Sequence, residues 1–268
     1  MKVKLLAHTQ LSNEFYDSFD VYNEFIEIEG NELDRLGATD GQVIALSAVR
    51  TCYSANKPSE IVAKEGGRYF GNKATDGRKG TEADRLMRHI IASKHTSTLE
   101  HITFTFAIEG VSRTLLAQLT RHRVGFSFSV QSQRYVRFGS DDKSGGFDYV
   151  TPKSVIESEK TFDMDLPDDT TVKANSEQFY KDAMETAQYC YDTLRSMGIP
   201  AEDARMVLPQ AATTNLVMTV NLRSLLDFYA KRRKGNGAQA EIAELAEHLR
   251  KEVVKVEPWV NKFFEGGC

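Results

Sequence analysis

RHRVGFSFSVQSQRY, running from Arg121 to Tyr135, is the stretch on which the reading of this chain turns. Val124, Phe126, Phe128 and Val130 alternate with Gly125, Ser127 and Ser129, the period of an extended strand with one apolar face. Around that strand the charge is one-sided. No acidic residue lies between Glu109 and Asp141, yet Arg113, Arg121, Arg123, Arg134 and Arg137 all fall there. The chain as a whole carries a formal net charge of −4, so this basic excess is local. Guanidinium groups present a planar fork of donors that matches phosphate and carboxylate, and Ser127, Ser129, Gln131, Ser132 and Gln133 add neutral donors and acceptors. An ordered backbone threaded among such groups reads as the wall of a pocket for an anionic ligand. A nucleic-acid surface would also combine arginine with aromatic residues and stands as the rival reading.

Upstream, Ile102, Phe104, Phe106 and Ile108 alternate with Thr103, Thr105 and Ala107, which predicts a half-buried strand. Residues 112–121 are expected to be helical. Thr81 followed by Asp84 signals an N-cap for a helix through about His95, with Leu86/Ile90 and Met87/Ile91 along one apolar face. Downstream, a long helix is expected over 173–197, ending at Gly198 and Pro200, and a short one from Ala201 to Val207. NLVMTV then suggests a strand. Leu222, Leu225, Leu226 and Tyr229 form a buried helical stripe, and Ile242, Leu245 and Leu249 mark a last helix over about 238–255. Lys231-Arg232-Arg233-Lys234 ends the striped helix, where positive charge complements the helix dipole. Residues 64–80 and 139–149, rich in glycine and charge, read as exposed loop excursions, either surface insertions or lids. Helices and strands without a βαβ rhythm predict an α+β fold, a mixed sheet packed with helices, in a single domain spanning 1–268.

Composition narrows the class further. At 41% hydrophobic and 27% charged residues the chain is an ordinary globular one,. Cys52, Cys190 and Cys268 are scattered and odd in number, which argues for a reducing, cytoplasmic setting, with Cys52 taken as a small buried residue. No apolar window approaches the roughly 20 residues of a membrane helix. There is no GxGxxG, no P-loop and no HExxH; His89, His95 and His101 lack the pattern of a metal site.

Arg121-His122-Arg123, then eight residues, then Ser132, resembles the signature of the flavin-dependent thymidylate synthases. Gln118 precedes it and SQRY closes it. Three further blocks resemble the same family in the same order: SAVRTCYS at 47–54, KHTSTLEHITFTF at 94–106, and ARMVLP with TVNLRSLLDFYAKR within 204–232. The resemblance implies a homotetrameric enzyme that converts dUMP to dTMP with methylenetetrahydrofolate as carbon donor, FAD as hydride carrier and NADPH as reductant, and that takes no nucleic acid, membrane or metal. By position it places His95, Ser97, Arg121, His122, Arg123, Gln131, Asn221, Arg223 and Asp227 at FAD. It places Gln118, Arg121, Gln131, Ser132, Gln133, Arg134, Arg205 and Arg232 at dUMP. Arg232 is implied as the catalytic group, favouring ionisation of uracil N3. Asp227 has an alternative, an i,i+4 ion pair with Arg223. Ser132 has no evident base beside it and reads as a ligand to the nucleotide more than as a nucleophile. A cysteine-dependent thymidylate synthase is the third reading, but no cysteine lies in the arginine-rich stretch.

Overall fold

The computed structural model describes residues 1–20, 37–165 and 170–266. In chain order the elements are β1 (Lys2–His8), α1 (Asn13–Asp20), α2 (Asp40–Thr51), α3 (Ile61–Gly71), α4 (Glu82–Ala92), β2 (Thr103–Ser112), α5 (Arg113–Leu119) and β3 (Phe126–Val130). They continue with α6 (Lys153–Ile156), β4 (Thr161–Asp165), β5 (Thr171–Asn175), α7 (Ser176–Ser196), α8 (Ala201–Ala204), β6 (Thr213–Asn221), α9 (Leu222–Arg232), α10 (Ala240–Val256) and α11 (Asn261–Gly266). One sheet has the order β1-β2-β6-β3, and β4 pairs antiparallel with β5, Phe162 opposite Ala174. This is the α+β architecture expected. The described residues divide into two compact units. One holds Met1–Lys2, Ile108–Arg121 and Phe128–Val217; the other holds Val3–Ala107, His122–Ser127 and Met218–Cys268.

The second of these units is built by the periodicities already read. Ile102, Phe104 and Phe106 are fully buried, as are Met218 and Val220 two apart on β6. Leu222, Leu225, Leu226 and Phe228 bury one face of α9, which packs on α10 through the side that carries Ile242, Leu245 and Leu249. Thr81 and Asp84 close a reciprocal capping box at the start of α4,. The expected loop over 64–80 is half helix: α3 reaches Gly71. Its charge and glycines suggested exposure, but Val62, Tyr69 and Phe70 bury one face against Val43 and Leu46 of α2, with Ile61 buried too, and that burial overrides the weak propensity,. Only 72–81 is loop. It is tied back on α4, because the Arg88 guanidinium grips both oxygens of Asp76 at 3.0 and 2.9 Å.

In the other unit, Phe138, Tyr191 and Ala204 form a small core. The 139–149 excursion is pinned to α7. The Gln188 side chain donates to Phe138 O at 2.8 Å and accepts from Phe147 N at 2.9 Å, while Asp192 accepts from the Ser140 hydroxyl at 2.7 Å. A lid would need those bonds broken. The expected helix over 173–197 starts later, at Ser176. Asn175 is its N-cap, and 171–175 belong to β5, which forms a hairpin with β4 where helix was expected to begin.

One buried carboxylate fastens the C-terminal segment. Glu257 is 1% exposed and accepts from Gly41 N at 3.0 Å, from the Thr39 hydroxyl and from the Trp259 indole. Burial pushes its carboxyl above the ordinary 4.5, against the opposing pull of these donors. Below 4.5 the folded and unfolded chains are both protonated. Between that value and the raised one the folded state holds the extra proton, so this group's contribution to stability is lost as pH rises through the window. We expect the melting temperature of the natural chain, relative to Glu257→Gln, to fall as pH rises from 4.5 towards neutrality; a constant difference would show that this carboxyl does not titrate in the fold.

Candidate active site

In the unit that contains α9, the arginine-flanked turn sits on the N-terminus of that helix. Asn221 ends β6 and caps α9, its side chain accepting from Ser224 N at 2.9 Å,. The Asn221 N–H donates to Gly125 O at 3.1 Å. Gly125 has φ +72°, and a Cβ there would lie 2.2 Å from Ser224 Oγ and 2.4 Å from Asn221 Nδ2. Only glycine permits this approach. The close seating carries His122 onto Phe126 and edge-on to Phe228, with ring centroids 5.9 and 4.9 Å away. Arg232, the last residue of α9, then donates from Nε to His122 Nε2 at 3.1 Å. That bond takes the acceptor nitrogen of a neutral imidazole. The terminal amino groups of Arg232 have no hydrogen bond among the described residues.

The other blocks arrive in the same unit. Helix α4 ends at Ala92, and the chain reverses so that the exposed His95 stacks on Tyr53, ring centroids 6.4 Å apart, with Tyr53 Oη 2.8 Å from His95 Nδ1. Arg223 pairs with Glu100, and Leu222 N donates to Ile102 O at 2.8 Å. Four segments distant in sequence are thus joined through Tyr53–His95, Glu100–Arg223 and His122–Arg232. Tyr53 and Glu100 lie inside the quoted blocks; Glu100 is three residues after Ser97, whereas nothing in the spacing ties Tyr53 to His95, 42 residues away. Asp227 binds Lys231 Nζ at 2.7 Å, not Arg223 as the alternative had it, because Glu100 already engages Arg223. Cys52 is exposed, contrary to expectation: it lies at the C-cap of α2, beyond that helix's buried face. Cys268 lies outside the described residues. Ser97 and Arg123 are exposed.

In the other unit Gln118 is half-buried on α5 and Arg121 is exposed beyond that helix's end. Neither Arg121 nor Arg123 has an ion-pair partner among the described residues. Gln131 is fixed on both sides: its N–H donates to Asn215 O at 2.9 Å, and its side-chain oxygen accepts from Asn215 Nδ2 at 3.1 Å. Ser132 makes a turn, its hydroxyl accepting from Arg134 N at 3.2 Å and its carbonyl from Val136 N at 2.9 Å. Gln133 is buried. Glu202 draws two arginines together, Arg134 Nε at 2.6 Å from its carboxylate and Arg205 Nε at 2.9 Å from its carbonyl. Burial, and then the charge of Arg205, hold the Arg113 guanidinium below its ordinary range. Of these arginines only Arg134 meets the Glu202 carboxylate; Arg205 is held by the backbone carbonyl and feels the like charge of Arg113. Arg113 was not among the residues expected at the nucleotide.

The expected flavin residues therefore fall mainly in one unit and the expected nucleotide residues mainly in the other. Arg232 lies with the flavin group, Gln131 with the nucleotide group, and the RHR run spans both.

Comparison with known proteins gives the class. Residues 36–259 match the family model described as thymidylate synthase complementing protein. The flavin-dependent thymidylate synthase of Geobacter sulfurreducens is 34% identical over 229 residues, which cover 85% of this chain and 84% of that protein. That of Halobacterium salinarum is 41% identical over 170 residues, 61% of this chain and 68% of its own length. The crystal structure of a UMP/dUMP methylase, PolB from Streptomyces cacaoi bound with 5-Br dUMP, shares the fold: TM-score 0.63 at 20% identity, over 99% of this chain and 95% of that one. The protein is an enzyme of the methyltransferase class. The chain belongs to the flavin-dependent thymidylate synthase family.

Proposed function

We propose that the chain methylates dUMP reductively to dTMP, taking carbon from methylenetetrahydrofolate and reducing equivalents from NADPH by way of FAD. The observation that carries this is Arg232, oriented by His122 of the RHR run, its terminal amino groups making no hydrogen bond among the described residues. A guanidinium keeps its own proton, so those N–H groups can stabilise a uracil anion generated at N3 without becoming its acid.

The residues present fit a flavin dinucleotide. Val124 is 84% exposed, an apolar surface directly beside Arg123, which has no ion-pair partner among the described residues. A planar heterocycle with phosphates has that chemistry. FAD, when bound, supplies the hydride chemistry. His95, Ser97, Arg121, His122 and Arg123 would hold it, with Gln131. Asn221 and Arg223 serve it as framework, one capping α9 and one anchored to Glu100. Asp227 joins the flavin set once Lys231 releases it. Gln118, Arg121 and Gln131 through Arg134 would hold dUMP, with Arg205 and Arg113 taking its phosphate.

Residues 1–268 would work as one catalytic domain, a reading supported by a chain that passes between the two units five times. Self-association as a homotetramer is supported by Tyr135 at 81% and Met206 at 83% exposure, each following an arginine of the nucleotide set in sequence,. Exposed thiols at Cys52 and Cys190 favour a reducing cytoplasm,. Among the described residues no helix is long and apolar enough to cross a membrane.

The purified protein is expected to show a flavin absorbance band and to release tritium from 5-tritiated dUMP only with NADPH and methylenetetrahydrofolate present. Protein that neither carries nor takes up FAD would overturn the proposal.

A further inference from the structure

Beside the turn that presents His95 lies a strongly basic cavity to which none of the residues assigned above belongs. Its volume is ≈ 610 Å³, and its floor is apolar, from Ile91, Ala92 and Phe263. Arg78, Lys79, Arg88, Lys94 and Lys262 surround it. Two of the five are braced: Arg88 by Asp76, and Lys262 by Asp84 at 2.7 Å. Lys79 and Lys94 have no ion-pair partner among the described residues. Five cations against the two carboxylates leave a local charge of +3 in a chain whose net charge is −4.

Lys94 adds an independent observation. Ser93 caps α4, Lys94 N donates to Ile91 O at 3.1 Å, and His95 N donates to Ile90 O at 3.0 Å. This is the helix-ending motif in which glycine normally fills the left-handed position. Here that position is lysine, with φ +60°, the one non-glycine residue with positive φ among those described. A side chain in that region strains the backbone, and strain of this kind marks positions where the side chain has work elsewhere. The same turn sends Lys94 to the cavity and His95 to Tyr53.

We propose that this cavity binds the phosphorylated adenosine end of the reductant, with the adenine against Ile91 and Ala92 and the 2′-phosphate met by Lys79 and Lys94; Phe263 beneath is nine-tenths buried, with Lys262 Nζ 5.2 Å over its ring. It rests on the reading of NADPH as co-substrate and gives that molecule a site on this chain. A ring with separated phosphates suits an apolar floor with a cationic rim, whereas a free inorganic anion would not use the floor.

The probe is adenosine 2′,5′-bisphosphate, titrated calorimetrically into the full-length protein with and without Lys79→Gln and Lys94→Gly. We expect each substitution to weaken binding about tenfold, the loss of one charge-assisted phosphate contact. Lys94→Gly should leave the melting temperature equal to or above that of the natural chain, because glycine relieves the strained backbone. The ratio of kcat/KM for NADPH over NADH should fall in both variants. Three results would each overturn the inference: no binding of the probe to the natural chain, binding unchanged in both variants, or Lys94→Gly losing stability together with affinity. The probe carries no redox group, so the titration separates a failure of this inference from a failure of the flavin reaction itself.

Discussion

Replacing Arg232 by Ala is expected to lower kcat for tritium release about 10²- to 10³-fold, the usual cost of one preorganised charged donor, while FAD remains bound. The geometry dictates the separation. Among the described residues Arg232 is hydrogen-bonded to the RHR run by one bond, from Nε to His122 Nε2. His122 stays fixed without it, because Phe126 and Phe228 pack against its ring. Removing the guanidinium thus deletes charge without unbuilding the turn. Arg232→Lys should not rescue, since an ammonium offers neither the planar fork nor an Nε–H in that place. His122→Ala should be intermediate, about tenfold to a hundredfold down in kcat, because Arg232 keeps its charge but loses the acceptor that orients it. Flavin absorbance of each purified variant beside its turnover makes the test. Flavin lost in step with activity in Arg232→Ala would make the residue part of the framework.

How much of this was legible in the sequence depended on the range of the signal. Period-two alternation over 102–108 and the i, i+3, i+4, i+7 stripe of α9 read correctly, because one face of each element is buried and nothing competes with that demand. Helix α3 was obscured because glycines and charges interrupt its pattern, one of the glycines, Gly66, lying on the buried face itself, and its apolar side packs on α2, which lies elsewhere in the sequence. The β4–β5 hairpin was missed for the opposite reason: Phe162 and Val172 are exposed, so no buried face imposes a clear pattern. At the site, residue types and order identified the blocks, whereas pairings did not follow from spacing. Nothing in the sequence says that Arg232 meets His122, 110 residues away, or that Glu100 takes Arg223 and leaves Asp227 to Lys231. The spacing of eight residues between Arg123 and Ser132 likewise says nothing of what holds the segment: β6 supplies Asn221 N for Gly125 O and Asn215 for Gln131.

Gly125 carries the second large effect. Gly125→Ala places a methyl group 2.2 Å from Ser224 Oγ and 2.4 Å from Asn221 Nδ2, distances no packed carbon tolerates. Two costs add. The left-handed backbone at φ +72° costs an alanine roughly 1–2 kcal/mol,. Clearing the overlap means moving Asn221 or Ser224, which are the two partners of the α9 cap, and a lost cap costs about 1 kcal/mol more,. The sum is on the order of 3 kcal/mol, large for one methyl group. Gly237 supplies the control: its φ is +71°, and a Cβ there meets nothing within 4 Å. Gly237→Ala should show the backbone cost alone. The difference between the two variants in urea denaturation therefore measures the contact between the turn and the helix. The shift at Gly125 also moves the start of α9 against the RHR turn that carries His122. Flavin content per protein chain should consequently drop in Gly125→Ala and stay at the natural level in Gly237→Ala. Equal destabilisation with equal flavin content would mean that the turn does not need its close seat on the helix.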